Sequence, residues 1–358
     1  MRETTLEGPV LVVGAGLLGT STALALRRRG VDVALRDISR ENLRIATGIG
    51  ACNVDAADVV PQVVVVAVPP DHLAAEISAA LTGTDAVVTD VGSVKSAPLE
   101  QTRGRVSAAE LARYVGSHPM AGSERSGPFA ASEALFDGRP WAVAPHEGAD
   151  PDAVALVIDL VRICGATPVM FTPEEHDQAV ARTSHLPHVV AALVAGRLAD
   201  APREHLSLSG QGVRDVTRIA AGDPTMWQQI ITANNQALTA LLRDVRDDVD
   251  RLLTALGDGD RSSLTSVLQR GVRGTEVIPG KHGGPTHADT TVYVAVPDHP
   301  GELARLLADA GEIGVNIEDL RIDHDPAREY GLVELSVAAD AVDHLLTSLG
   351  HRGWTAHR

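Results

Sequence analysis

The stretch "VLVVGAGLLG", Val10 to Gly19, constrains the fold of this chain more than any other. A short run of branched aliphatic residues reads as a buried strand. The pattern "LLGTSTALALRRRG" that follows reads as a helix. Between them, Gly14, Gly16 and Gly19 form a GxGxxG turn. Gly14 permits the tight turn, Gly16 lets a pyrophosphate approach the backbone, and Gly19 lets the helix pack closely on the strand. The helix N-terminus offers free N–H groups and positive dipole to phosphates. Such a turn is a weak signal alone, and the strand before it and helix after it make it a dinucleotide cradle. Asp37, at the end of the next predicted strand, is placed to accept hydrogen bonds from the adenosine ribose and to repel a 2′-phosphate. This favours NAD over NADP, although Arg36 and Arg40 flank it and soften the preference. The expected cofactor contacts are Gly14, Gly16, Leu17, Leu18, Gly19, Asp37, Val68, Pro69 and Ser93.

The same strand–helix alternation continues to Met170. "VDVALRD", "VVVVAVP", "AVVTDVG", "ARYVGSHP", "WAVAPH" and "TPVMF" read as further strands, and "PDAVALVIDLVRICG" as a helix. Strands that are apolar throughout imply a parallel sheet covered on both faces, in a Rossmann-type α/β domain. From Thr172 to about Arg270 the patterns are helical. "TMWQQIITANNQALTALLRDVRDDVDRLLTAL" reads as one long helix crossing the domain. Broad apolar faces on such helices suggest an all-α bundle shared between two subunits, hence a homodimer. "RGTEVIPGKHGGPTH" is rich in Gly and Pro and reads as a linker. Beyond it, strand, helix, strand, strand, helix, strand follow in ferredoxin-like α+β order. The expected division is 1–171 for the NAD-binding domain, 172–272 for the helical substrate and dimerisation domain, 273–289 for the linker and 290–358 for the small regulatory module.

Composition narrows the trade of this chain. A formal net charge of −16 argues against binding nucleic acid or an anionic membrane surface. Aromatics make up 3% of residues, so base stacking is a poor fit. Cys52 and Cys164 are the only cysteines and form no CxxC, which fits a reducing cytoplasm. No charged-then-apolar signal pattern opens the chain, and no apolar run approaches the roughly 20 residues of a membrane span.

The candidate chemistry lies at the strand ends. In "GSHPMAGSERSG", His118 precedes a proline, which pushes it to extended backbone at the carboxyl edge of the sheet. "DVGSVK" brings Ser93 and Lys95 to the same edge. A hydrogen-bonded turn histidine and a helix N-cap at Ser93 are the bland alternatives. "TSHLPHVVAALV" sets His185 and His188 where a helix begins, either as site residues or as caps. A metal reading of this pair lacks an accompanying ligand set. In "GVRDVTRIAAGDPTMW", Asp215 and Arg218 form either a surface ion pair or a site in which Arg218 points inward at an anion.

"GAGLLG", "DVGSVK", "GSHPMAGSERSG", "TSHLPHVVA" and "RDVTRIAAGDPTMW", in this order, resemble the prephenate/arogenate dehydrogenases of tyrosine biosynthesis. The resemblance covers about the first 270 residues. "VPDHPGELARLLADAGEIGVNIEDLRI" resembles an ACT domain, an amino-acid-sensing fold. The resemblance implies an NAD-dependent oxidative decarboxylation of a cyclohexadienol. It makes His118 the base on the substrate hydroxyl and Ser93 its helper. Arg218 becomes the carboxylate clamp, His185 the neighbour of the substrate side chain and Glu124 a polar gate. Trp227 lines the pocket, from a neighbouring subunit if the helices are shared. Asp298, Gly301, Asn316 and Ile317 match amino-acid-binding turns, with tyrosine as the natural effector and simple dimerisation as the alternative. Prephenate, arogenate and 4-amino-4-deoxyprephenate stay open as substrates. A β-hydroxyacid dehydrogenase lacks its expected lysine motif here. A dinucleotide-gated sensor with a decayed site is opposed by the complete set of Ser93, His118, His185 and Arg218.

Overall fold

A computed structural model describes residues 6–121, 126–278, 289–324 and 330–358. The chain divides into two compact units, one running to Arg246 and the other from Asp247 to Arg358. The first begins with β1 (Val10–Val13), α1 (Leu17–Arg28), β2 (Val33–Arg36), α2 (Arg40–Gly48), β3 (Val63–Val66) and α3 (Pro70–Gly83). It continues with β4 (Val87–Asp90), α4 (Ser96–Arg103), α5 (Ala108–Leu111), β5 (Tyr114–Pro119), β6 (Pro140–Ala144), α6 (Pro151–Ile163) and β7 (Thr167–Met170). All seven expected strands are present, in the sheet order β2-β1-β3-β4-β5-β6-β7.

Alternation along each strand sends successive side chains to opposite faces. Val10, Val12, Val63 and Val65 pack with Leu26 of α1 and with Leu156, Val157 and Leu160 of α6. Leu11, Val13, Val64 and Val66 pack on the other face with Leu73, Ile77 and Leu81 of α3. Both faces are covered, so these strands carry no polar side. The strands β1 to β5 run parallel. The expectation of a parallel sheet needs one amendment, since β6 pairs with β5 antiparallel and β7 follows β6. Between Pro119 and Pro140 the described residues hold only a short 3₁₀ turn, Pro128–Ala130, and no crossover helix. A parallel return needs such a crossover, whereas an antiparallel neighbour does not.

The helical part comprises α7 (Pro173–Val180), α8 (Leu186–Gly196), α9 (Arg203–Leu206), α10 (Gln211–Arg218), α11 (Pro224–Ala233), α12 (Asn235–Asp258) and α13 (Arg261–Glu276). The single long helix expected after Thr225 is broken at Asn234, whose backbone (φ −110, ψ 32) leaves the helix between α11 and α12. The second unit begins within α12, so the division falls inside a helix and not in the Gly/Pro-rich stretch. The α13 helix also runs through Glu276, into the expected linker. Beyond it lie β8 (Asp289–Pro297), α14 (Glu302–Ile313), β9 (Asp319–His324), β10 (Tyr330–Ala338), α15 (Val342–His351) and β11 (Thr355–His357). They form an antiparallel sheet of order β11-β8-β10-β9 around Val294, Leu306, Leu335 and Leu345. This is the βαββαβ order read from the pattern. Among the described residues, no helix is long and apolar enough to cross a membrane.

Candidate active site

The glycine turn has the geometry its spacing implies. Gly14 has φ +107, and a Cβ there would lie well under 3.0 Å from the Ala67 carbonyl oxygen after β3. A Cβ at Gly19 would meet the Gly14 carbonyl equally closely, whereas one at Gly16 meets nothing within 4 Å. The first and third glycines thus bring the end of β1 against its neighbours, and the second faces open space. Gly16 is the N-cap of α1 and supplies no side-chain cap, and the first turn of α1 has no acidic residue. The leading N–H groups therefore remain available to an anion.

Asp37 ties this turn to β2. Its Oδ2 accepts from Ala15 N–H at 2.5 Å and its Oδ1 from Ser39 N–H at 2.6 Å. Each carboxylate oxygen has a further lone pair for a ribose hydroxyl. Arg36 is engaged elsewhere, in an ion pair of 3.0 Å with Glu76 of α3. Its expected pull toward a 2′-phosphate is reduced accordingly. Val68 and Pro69 lie directly after β3, at the same carboxyl edge. This donor set fits a dinucleotide.

Further along that edge, a buried network fixes the ends of β4 and β5. The Asp90 carboxylate, fully buried, accepts from the Lys95 ammonium, from Tyr114 O–H at 2.9 Å and from Gly92 N–H at 2.9 Å. Lys95 Nζ also donates to the Ser117 carbonyl at 2.6 Å. Ser117 O–H donates to the Asp90 carbonyl at 2.7 Å, and Trp141 Nε1–H donates to Ser117 Oγ at 3.0 Å. Lys95 thus reaches this edge only with its backbone, because its ammonium is held inside by Asp90. Ser93 is half-buried in the loop after β4. It does not cap the following helix, since the N-cap of α4 is Lys95.

His118 is a half-buried residue near the end of β5, paired with Ala142, in the extended backbone expected before a proline. Its Nδ1 lies 3.0 Å from Nε2 of His176 on α7. His176 Nδ1 in turn lies 2.9 Å from Asp177 Oδ1. Asp177 accepts from the backbone N–H groups of Lys95 and Ser96, each at 2.8 Å. Burial pushes the His118 imidazole well below its ordinary value, and nearby His176, Lys95 and His185 push the same way. Burial also lowers His176, overcoming the opposing hydrogen bond to Asp177. For Asp177, burial acts upward, but the hydrogen bonds from His176, Lys95 and Ser96 together hold the carboxyl below the usual range. His176 and Asp177 escaped the sequence reading because "PEEHDQAV" looks like an ordinary acidic helix start, with nothing local to mark its inward face.

His185 is the N-cap residue of α8 and makes no side-chain cap hydrogen bond. It closes a π-helical turn, Ala181–His185, that joins α7 to α8 without a break. Pro187 has no N–H to give the carbonyl four residues back, and the wider turn absorbs that lost bond. His185 is buried, and burial lowers its pKa to about 4. Its Nδ1 lies 3.1 Å from Nδ2 of Asn234, which also donates to the Asp177 carbonyl at 2.8 Å. The helix break at Asn234 thus turns that amide into the histidine cluster. Trp227 stacks on His188, centroids 3.5 Å apart, and stands edge-on to His185 at 6.2 Å. Within its own chain, Trp227 thus stands against both histidines. Arg218, in the last turn of α10, is exposed. Asp215 accepts from Gln211 Nε2–H at 3.0 Å, and no ion pair between Asp215 and Arg218 forms among the described residues. Glu124 lies outside the described residues. In the second unit, Asp298 and Gly301 (φ +95) lie in the turn from β8 to α14, and Asn316 and Ile317 in the turn from α14 to β9. Asn316 Nδ2–H donates to Glu318, and Ile317 packs on the module's core.

Two family models match the chain. One describes the nucleotide-binding domain of prephenate dehydrogenase, over residues 22–170. The other describes the dimerization domain of prephenate dehydrogenase, over residues 172–270. A probable prephenate dehydrogenase, NovF, of Streptomyces niveus is 37% identical, with 97% of this chain and 99% of the relative aligned. The prephenate dehydrogenase of Bacillus subtilis is 28% identical over 94% and 93% of the two chains. Among solved structures, prephenate dehydrogenase of A. aeolicus with hydroxyphenyl propionate and NAD⁺ is similar, with a TM-score of 0.68 at 26% identity. That match covers 77% of this chain and all of the other. Synechocystis arogenate dehydrogenase gives a TM-score of 0.64 at 29% identity, covering 75% and 99%. Together with the glycine cradle and the buried histidines at the sheet edge, these matches assign the chain to the prephenate dehydrogenase family.

Proposed function

We propose that this chain is an NAD-dependent prephenate dehydrogenase, with His118 as the base on the substrate hydroxyl. The carrying observation is the imidazole at the end of β5, on the same carboxyl edge as the glycine turn, with Nδ1 engaged by His176 and its pKa pushed down by burial. When bound, the nicotinamide supplies the acceptor for hydride from C4 of the ring. Gly14, Gly16, Leu17, Leu18, Gly19, Asp37, Val68 and Pro69 would hold the dinucleotide. His118 draws the proton from the C4 hydroxyl, and that oxygen's electron density favours hydride departure. Loss of the ring carboxylate as CO₂ then leaves its electron pair in the ring, the oxygen regains its proton, and the ring becomes aromatic. Ser93 helps orient the hydroxyl. Arg218 binds a substrate carboxylate, for which a guanidinium fork is suited. His185 lies by the side chain as an uncharged imidazole at neutral pH, and Glu124 serves as a gate.

The same reading makes the chain a homodimer and the βαββαβ module an ACT-like regulatory domain that takes tyrosine. Exposed Leu253, Leu256, Leu268 and Val272 on α12 and α13 support the first part. The strand order and the two turns that carry Asp298, Gly301, Asn316 and Ile317 support the second. Arogenate is the second substrate reading, favoured by the likeness to the Synechocystis enzyme.

The test is NADH formation from NAD⁺ with prephenate and with L-arogenate, each with and without L-tyrosine. Turnover on prephenate, lowered by tyrosine, is expected. Turnover on arogenate alone would overturn the substrate reading, and indifference to tyrosine would overturn the effector reading. The His118→Asn variant should lose about 10²–10⁴ in kcat, the usual worth of a general base. Near-normal kcat in that variant would refute its role.

A further inference from the structure

We propose that His176 and Asp177 are positioning residues that hold His118 in the tautomer whose Nε2 carries a free lone pair. The inference rests on the reading of His118 as base. It follows from the order of donors along three side chains.

Asp177 is ionised and can only accept. Its Oδ1 is 2.9 Å from His176 Nδ1, so that nitrogen carries the proton. A neutral His176 then has a bare Nε2, which must accept. The group facing it, at 3.0 Å, is His118 Nδ1, which must therefore be the protonated nitrogen. Neutral His118 is left with its lone pair on Nε2, the nitrogen free to take a substrate proton. An unconstrained neutral imidazole favours the opposite tautomer, with Nε2 protonated and unable to act as base. When His118 becomes charged, its proton on Nδ1 already points along a chain that ends in a carboxylate. The same logic operates in a Ser-His-Asp triad, where losing the carboxylate's acceptor leaves the wrong tautomer. Here a second imidazole stands between base and carboxylate.

The chain is held rigidly. His176 and Asp177 are both buried on α7, whose first turn is closed by a capping box of Thr172 and Glu175. Asp177 grips the start of α4 with both oxygens. Among the described residues, the other charged or titratable groups facing the pair are the Lys95–Asp90 ion pair and the His185 imidazole. Asp177 also anchors α4, so its replacement would mix structural and positional effects, and His176 is the residue to change.

The test uses the full chain. ¹⁵N-histidine NMR reads which nitrogen of His118 is protonated, with the signal assigned by its absence from His118→Asn. In parallel, kcat, KM and NAD affinity are measured for His176→Phe and His176→Gln. A Gln amide can donate to Asp177 and accept from His118, whereas Phe does neither. The expected result is Nδ1–H in the parent chain and in His176→Gln. His176→Phe should show Nε2–H, with kcat lowered about 10²–10³-fold, the scale of a misdirected general base. KM and NAD affinity should change little, and His176→Gln should recover most of kcat. An Nε2–H signal in the parent chain, or a kcat within twofold of the parent in His176→Phe, would overturn the proposal. Should the parent chain leave prephenate untouched, the functional reading fails, while the tautomer measurement still decides this one.

Discussion

Replacing Lys95 by Met tests the network beneath the site. Lys95 and Asp90 are 1% and 0% exposed, and the ammonium also holds the Ser117 carbonyl one residue before His118. Methionine fills a similar volume but leaves the Asp90 charge buried, with only Tyr114, Gly92 and the Ser117 N–H as donors. Breaking a buried pair from one side costs about 3–5 kcal/mol, because the remaining charge lacks compensation. That is a large part of the roughly 5–15 kcal/mol that holds a folded protein together. At about 2–4 °C per kcal/mol for a large domain, the melting temperature should fall by roughly 10 °C. The control is Arg28→Ala. Arg28 makes two hydrogen bonds to Asp137, at 3.0 and 2.6 Å, yet the pair is 25% and 45% exposed. Solvent screening should keep its loss below about 1 kcal/mol. The double variant Lys95→Met/Asp90→Asn should recover part of the loss, since Asn still accepts from Tyr114 without a charge. Urea unfolding monitored by circular dichroism measures all three. Equal losses for Lys95→Met and Arg28→Ala would refute the claim that burial makes this pair different, and a double variant no better than the single would refute the unpaired-charge argument.

The glycine turn separates folding from binding. A Cβ at Gly19 collides with the Gly14 carbonyl, while one at Gly16 meets nothing in the chain. Gly19→Ala should therefore lower the melting temperature, whereas Gly16→Ala should melt like the parent but bind NADH at least about tenfold more weakly, a change of about 1.4 kcal/mol. A fluorescence titration alongside a melt checks both, and unchanged NADH affinity in Gly16→Ala would sink the cradle assignment. Acid should act through the buried histidines. Their folded pKa values lie below the unfolded value of about 6.5, so stability is complete above that value and falls as pH drops toward the folded values. For His185, at about 4 in the folded chain, the loss reaches about 3 kcal/mol by that pH, and His118 and His176 act in the same direction. A flat unfolding free energy between about pH 7 and pH 5, where ordinary carboxylates do not titrate, would contradict this.

Much of the site's frame was legible because its signals are local. Steric demand confines a GxGxxG turn to its conformation, and a proline forces extended backbone on His118. The reversal of β6 was not legible, since it depends on a missing crossover and not on the strand's own residues.

Sequence by itself determined the strands, the order of the α/β and βαββαβ units, the glycine cradle and the place of His118 at the end of its strand. These follow from periodicity and from steric rules that act over a few residues. Tertiary structure alone decided which side chains meet. His118 finds His176, Asn234 finds His185, and Asp177 finds the start of α4, across intervals of 58, 49 and 82 residues respectively. Such contacts have no local signature, because burial and packing choose the partner. Whether an imidazole stays neutral, and which of its nitrogens keeps the proton, is set by those partners and by the loss of water around them.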